Sequence, residues 1–378
     1  MGRHRVALCP CAGEISCRRI VALPIRKRQS NHFLDAHSFA CRHVAPGPRT
    51  TVTKSETDHL GAEYMSLHWA SIGEAGAVAG MRIMVWVHRA LGRRIFNVVL
   101  VPVMAYYFLV RREARRSSVD FLLRVKKYDP TLLDGGPVYW LSFRHFIAFG
   151  RSLIDKYMAW VKTPDTIAMD KDQEKMLFHL VDSGVGCLII GSHFGNLEYS
   201  RGIAHRHPDL VINVLTYDQH AAKFVQLMTE SQPESRLHLI QVTDLDVATA
   251  LELKSRLDRG EWLVIAGDRV PLGESGRVSK PEFFGQPARF PIGPYVLANL
   301  LQCPVYLFHC FLVDGAYRLI LEKFEDKVVL PRSAKTEELD RLAQKYASAL
   351  QGQVECSPLQ WFNFFDFWKD SKPDYERP

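Results

Sequence analysis

Short apolar runs alternate with helix-patterned stretches through the second half of this chain, and that alternation limits the folds open to it. "VGCLIIGS" (185–192), "DLVINVLTY" (209–217), "WLVIAGDRV" (262–270) and "CPVYLFHCFLV" (303–313) are strand-length and nearly all apolar, as buried strands are. "YRLILEKF" (317–324) adds a further strand. Between and around them, "DKDQEKMLFHLVDSG" (170–184), "VATALELKSRLDRGE" (247–261), "GPYVLANLLQ" (293–302) and "TEELDRLAQKYASALQGQVEC" (336–356) carry helical spacing, and another helix is expected from about 196 to 206. "GPVYWLSFRHFIAFGRSLIDKYMAWV" (136–161) is an aromatic-rich helix with core spacing. The order predicts an α/β fold with a mostly parallel central sheet flanked by helices.

The region before this part is different. Residues 1–64 hold no sustained period and no continuous apolar core of the kind a secretory signal needs, since "IVALPI" (20–25) is short and contains Pro24. They read as a disordered extension or an upstream start that is not used. Residues 65–127 form an amphipathic, membrane-associated helical segment, and 128–378 the α/β domain. Within 80–94, Ile83, Met84, Val87 and Leu91 form an apolar stripe among arginines. "IFNVVLVPVMAYYFLV" (95–110) then gives sixteen mostly apolar residues, flanked by Arg93 and Arg94 before it and by Arg111, Arg112, Arg115 and Arg116 after it. Such a helix is about 24 Å long, short of the roughly 30 Å hydrocarbon core. Arginines at both ends and Tyr106 and Tyr107 at an interface fit a monotopic or re-entrant N-terminal helix, the alternative being a buried core helix.

The net charge is +7 over 378 residues, with the arginines in blocks. Blocks of that kind suit a nucleic-acid surface or an anionic membrane surface, and otherwise a solvated face. The eight cysteines show no CxxC pair or zinc spacing, so neither a disulfide framework nor a metal site is expected. Cys187, Cys303, Cys310 and Cys356 read as reduced core residues.

Ligands of open α/β sheets gather beyond the carboxyl ends of the strands. Two expected strands end in ionisable residues, one through Ser192 and His193, the other through Asp268 and Arg269. The loop "EFFGQPARFPIGP" (282–294) is a candidate wall of the same site. On one helix, His193 and Glu198 would project roughly 140° apart. With His193 in the turn, Gly195 allowing a tight path and Asn196 as N-cap, Glu198 falls in the first helical turn and can reach one imidazole nitrogen. That is a base with its orienting carboxylate. "GSHFG" (191–195) and "GESG" (273–276) both miss the GxSxG nucleophile elbow, and neither a P-loop nor a GxGxxG fingerprint is present. "HRHP" (205–208) reads as a solvated helix end.

"SHFGNLE" (192–198) resembles the HX4D/E motif of the lysophospholipid acyltransferase superfamily, and "GEWLVIAGDRV", "FFGQPARFPIGPYVLA" and "CPVYLFHC" follow in the order of its lipid A secondary acyltransferase (lauroyl/myristoyl transferase) branch. The resemblance covers about 80 to 370. It implies that His193 deprotonates an acceptor hydroxyl that attacks an acyl thioester, with Glu198 orienting His193. Arg269 would bind acceptor phosphate or stabilise the oxyanion, Asp268 would position Arg269, and Ser192 and Asn196 would complete the substrate-binding set. The glycerolipid "EGTR" block is replaced by "AGDR" (266–269), which favours a glycolipid or other specialised acceptor. The resemblance further implies an acyl carrier protein or acyl-CoA as donor, a lipid-like acceptor, a place on the cytoplasmic face of a bacterial inner membrane, no metal or bound cofactor, and no nucleic acid. A non-catalytic lipid-binding protein on the same fold, or a hydrolase using His193 to activate water, are the alternatives. The aromatic segment "PLQWFNFFDFW" (358–368) is expected to pack under the sheet, or else to line an acyl channel or rest on the bilayer.

Overall fold

A computed structural model describes residues 74–161, 168–197, 210–216, 237–241, 247–270 and 278–368. From Gly80 onward the described residues belong to one compact unit; residues 74–79 belong to a second one. The chain runs through α1 (Glu74–Val110), α2 (Arg112–Tyr128), α3 (Val138–Val161) and α4 (Lys171–Asp182). Next come β1 (Leu188–Gly191), β2 (Ile212–Thr216), β3 (Leu237–Gln241), α5 (Val247–Asp258) and β4 (Trp262–Ala266). Four two-residue strands follow: β5 (Val278–Ser279), β6 (Glu282–Phe283), β7 (Gln286–Pro287) and β8 (Phe290–Pro291). The chain then continues through α6 (Gly293–Leu301), β9 (Val305–Val313), β10 (Ala316–Glu325) and α7 (Lys335–Cys356).

Among the described residues, six strands make the central sheet, in the order β10-β9-β1-β4-β2-β3. All neighbours are parallel except β10, which pairs antiparallel with β9 through a tight turn at Asp314 and Gly315, both with positive φ. This is the sheet that the alternation of apolar runs and helices predicts. β3 is an addition to that expectation. Its sequence, "LHLIQ", is five residues long and puts an exposed histidine at its second position, so it lacks the continuous apolar run of a central strand.

The period-2 alternation of the strands sorts the core into two layers. Leu188, Ile190, Leu263, Ile265 and Leu307 face α6, α7 and the C-terminal aromatics, whereas Ile189, Ile212, Trp262 and Phe308 face α4 through Leu177 and Leu180. Of the aromatic segment, Trp361, Phe362, Phe367 and Trp368 are buried, as expected for packing under the sheet. The loop 282–294 goes the same way: Phe283 and Phe290 are fully buried, with Phe283 against the Trp361 ring. Of the four later cysteines, Cys187, Cys303 and Cys310 are buried thiols, but Cys356 is exposed because it lies in the last turn of α7, away from its apolar stripe.

The two stretches 80–94 and 95–110 are parts of α1, and the backbone leaves helical geometry near the end of the first, at Gly92 (φ 79°, ψ 172°). Beyond that break, Phe96, Leu100 and Met104 repeat every four residues and share a buried cluster with Phe146 and Ile154 of α3. Arg115 closes the helix end, donating to the carbonyls of Phe108 and Leu109 that no further turn satisfies.

Gly195 shows how tightly the turn after β1 is built. It has φ 71°, and a Cβ there would lie 2.1 Å from the Cys310 carbonyl oxygen and 2.7 Å from the Phe311 Cβ. Gly195→Ala is therefore expected to lower stability by about 2 kcal/mol or more. A urea-unfolding midpoint equal to that of the unaltered protein would contradict this packing.

Candidate active site

β1 and β4 are parallel neighbours, with Gly191 opposite Ala266. Two residues past each member of that pair stand His193 and Asp268, so the register that aligns the strands also aligns these side chains. The backbone pairing continues one step beyond the strands, where the Gly267 N–H donates to the Gly191 carbonyl at 2.9 Å. Gly267 leaves the room that this requires: a Cβ would come within 2.6 Å of Ile190 Cγ2 and 2.8 Å of Tyr346 Cζ. The Tyr346 hydroxyl also donates to the Gly191 carbonyl, at 2.7 Å.

Asp268 is fully buried, and its carboxylate accepts three hydrogen bonds. Oδ1 accepts from His193 Nδ1 at 2.8 Å; Oδ2 accepts from the His193 backbone N–H at 2.8 Å and from Trp361 Nε1 at 3.1 Å. Burial pushes the carboxyl pKa up, but the charge and hydrogen bonds of His193 and the charge of Arg269 outweigh it, and the net shift is below the ordinary carboxylate value. Asp268 is therefore ionised, and the proton between the two residues sits on Nδ1. This leaves Nε2 with its lone pair. Nε2 makes no hydrogen bond among the described residues, and the His193 side chain keeps 33% of its exposure. Burial and the Arg269 charge hold the His193 pKa below the ordinary value, against the opposing pull of Asp268. A neutral imidazole with one nitrogen fixed and the other facing outward has the geometry of a general base.

The sequence spacing makes Glu198 the orienting carboxylate. In the structure Asp268 holds Nδ1, and Glu198, with most of the expected helix from 196 to 206, lies outside the described residues. The hydrogen bonds of Asp268 go to His193 and Trp361, and the Arg269 charge acts on its carboxyl beside them. Arg269, half-buried, donates from Nη2 to the Phe362 carbonyl at 3.0 Å and lies 5.8 Å from the centre of the Phe365 ring. Ser192 is buried, and its Oγ accepts from the Phe194 N–H at 3.3 Å. Asn196 is also buried, its Nδ2 donating to the Ser152 carbonyl at 3.4 Å, while its Oδ1 has no partner among the described residues.

The backbone donors of this turn are all engaged. Besides the His193 and Phe194 N–H groups, Gly195 N–H donates to the Gln360 carbonyl at 2.8 Å and Asn196 N–H to the Cys310 carbonyl at 2.6 Å. Among the described residues, these four amides are therefore not free to form an oxyanion hole.

Residues 143–370 match the family of bacterial lipid A biosynthesis acyltransferases, over a span that includes His193, Asp268, Arg269 and Trp361. The chain belongs to that family. No curated protein matches it. Family membership makes the chain an acyltransferase, with an acyl donor and a lipid-like acceptor as its substrates.

Three residues near the site escape the sequence pattern. Trp361 reads only as one aromatic among several. His145, fully buried in α3, places Nδ1 3.0 Å from Ser118 Oγ and Nε2 3.0 Å from the Trp361 carbonyl. His309, in the middle of the apolar run of β9, is fully buried, and neither ring nitrogen has a hydrogen-bond partner among the described residues. Burial pushes His145 and His309 each down to about 4, from an ordinary value of 6.5.

These depressed values set the histidines' share of the acid response, against the opposite share of the raised Asp155 and Glu322 carboxyls. Below pH 6.5 the unfolded chain takes up protons at His145 and His309 that the folded chain refuses until about 4, and His193 acts in the same direction, so the histidines' contribution to stability falls with pH. The Asp268 contribution is lost only further down, as pH passes below the ordinary carboxylate range. Urea midpoints measured between pH 7 and 4 are expected to drop, and to drop less in His309→Leu. An identical drop in the variant would contradict the neutral, buried state of His309.

Proposed function

We propose that this acyltransferase moves a fatty acyl group from an acyl thioester, carried by acyl carrier protein or coenzyme A, to a hydroxyl of a glycolipid or similar lipid-like acceptor. The observation that carries the reading is the His193–Asp268 pair at the adjoining ends of β1 and β4. His193 Nε2 takes the proton of the acceptor hydroxyl as its oxygen attacks the thioester carbonyl, and Asp268 fixes the ring and stabilises the imidazolium that forms. The proton passes to the departing thiolate as the tetrahedral intermediate collapses. Arg269 is the side chain assigned to the oxyanion or to an acceptor phosphate, since the amides of the His193 turn are engaged. Glu198 is kept, on the HX4E spacing, as a second carboxylate orienting the base, with Ser192 and Asn196 in the substrate-binding set.

The place of action in this reading is the membrane surface on the cytoplasmic side of a bacterial inner membrane. Among the described residues, Ile83–Val110 is the stretch long and apolar enough to cross a membrane, with mean hydropathy 1.4. One side of it is taken up by α3, while Val98 and Leu109 on the other are 71% and 70% exposed, with Trp86 and Tyr106 exposed beside them. A helix occupied by protein along one face and apolar along the other suits half-immersion in the interface. The basic residues of α2 then meet anionic headgroups or an acidic carrier protein.

Incubation with labelled acyl thioester and a total lipid extract tests the chemistry. His193→Ala is expected to abolish acyl transfer with the fold intact. Asp268→Asn is expected to lower kcat by about 10²–10⁴-fold, and Glu198→Gln by less. Full activity in His193→Ala would remove the base, and a larger loss in Glu198→Gln than in Asp268→Asn would make Glu198 the main orienting carboxylate. Release of free fatty acid without any acylated lipid would make the protein a hydrolase.

Flotation with vesicles of anionic phospholipid tests the surface. Val98→Glu combined with Leu109→Glu is expected to abolish binding while the thermal midpoint stays within a few degrees. Unchanged flotation would place the membrane contact elsewhere.

A further inference from the structure

The aromatic segment after α7 does more than fill the core beneath the sheet. Its backbone clasps the His193 turn on both sides: Gly195 N–H donates to the Gln360 carbonyl at 2.8 Å, and Phe362 N–H donates to the His193 carbonyl at 3.0 Å. Between these two bonds sits Trp361, whose indole N–H reaches Asp268 Oδ2 at 3.1 Å. The ring is fully buried and has no freedom to turn away, packed at 4.9 to 5.2 Å, centre to centre, against Phe121, Phe283 and Phe367.

A second set of buried polar groups holds Trp361 from the other side. Ser142 Oγ donates to Ser118 Oγ at 2.8 Å, and Ser118 Oγ lies 3.0 Å from His145 Nδ1. His145 Nε2 lies 3.0 Å from the Trp361 carbonyl, an acceptor only, so Nε2 carries the proton and Nδ1 accepts from Ser118. The series therefore has one consistent direction of donation, from Ser142 through Ser118 and His145 to Trp361, and from the Trp361 indole to the carboxylate that holds His193. Ser118, Ser142 and His145 are fully buried, which leaves them no role in touching substrate.

We propose that Trp361 is a positioning residue for the catalytic base, acting through Asp268, and that His145 fixes Trp361 from α3. The proposal rests on the reading of His193 as general base. Its physical content is that the indole N–H locks Oδ2, so that Oδ1 alone faces the imidazole and His193 keeps one tautomer and one orientation. Arg269 and Lys156 act electrostatically on His193, and His309 and Tyr346 on or beside Asp268; all four are left unchanged in the test.

Trp361→Phe removes the N–H donor and keeps an aromatic ring. Kinetics are compared with Phe367→Leu, which disturbs the same ring cluster but removes no hydrogen bond. Trp361→Phe is expected to lower kcat about tenfold or more, with KM within twofold. The acid limb of its kcat/KM profile moves to higher pH, because a carboxylate that has lost a donor binds the imidazolium more strongly. Phe367→Leu lowers the thermal midpoint without moving that limb. A Trp361→Phe profile that matches Phe367→Leu would overturn the proposal, whereas an active His193→Ala would sink the reading of the base instead. The unaltered protein offers an independent check that needs no Trp361 variant. One of the seven indole N–H resonances should shift with pH in step with the His193 ring and lose that shift in His193→Ala; no such resonance would also overturn the proposal.

Discussion

The Asp268 carboxylate is the point on which the rest of the site depends. Taking a lone carboxylate out of water costs several kcal/mol, and this one is fully buried. Three donors offset that cost, and two of them belong to His193 itself. The backbone N–H of His193 fixes where the turn begins, and the ring N–H fixes which way the imidazole points. The carboxylate thus holds both the fold of the turn and the tautomer of the His193 ring. Everything near it is built to keep that arrangement: Gly267 lets β4 approach Tyr346, Gly195 lets the turn pass against Cys310, and the Trp361 ring seals the carboxylate from below.

The same dependence links the chemistry to its surroundings. β1 and β4 deliver His193 and Asp268 only because they are parallel neighbours with Gly191 opposite Ala266. The helical layer of α2 and α3 reaches the site through His145, and the C-terminal segment reaches it through Trp361. On its other side α3 packs against α1, the helix with the exposed apolar face. A continuous packed path therefore runs from the surface assigned to the membrane to the assigned base.

Much of this is legible in the sequence, and the parts that are not have physical reasons. β1, β4 and β9 are continuous apolar runs because both their faces are covered, so they stand out at once. β3 breaks its apolar run with His238, as a strand at the edge of the described sheet can. His193, Asp268 and Arg269 are identifiable as polar residues at strand ends, but which of them touch is decided by strand order. β4 lies beside β1 although β2 and β3 intervene in the chain, and no local period carries that information. The nearby Glu198 is therefore the natural partner on paper, and the contact with Asp268 spans 75 residues. Trp361 is 93 residues beyond Asp268, in a segment whose composition speaks only of packing. His145 looks like one more residue on an aromatic helix until the Trp361 carbonyl is placed opposite it.

The central claim is that Asp268 holds His193 in the Nδ1–H tautomer with Nε2 free to accept a proton. Nitrogen-15 chemical shifts of the His193 ring at neutral pH measure this directly. The account predicts a protonated Nδ1 with a strongly downfield proton, an unprotonated Nε2, and loss of that proton signal in Asp268→Asn. A ring protonated at Nε2 in the unaltered protein, or an Nδ1–H signal that survives Asp268→Asn unchanged, would contradict it.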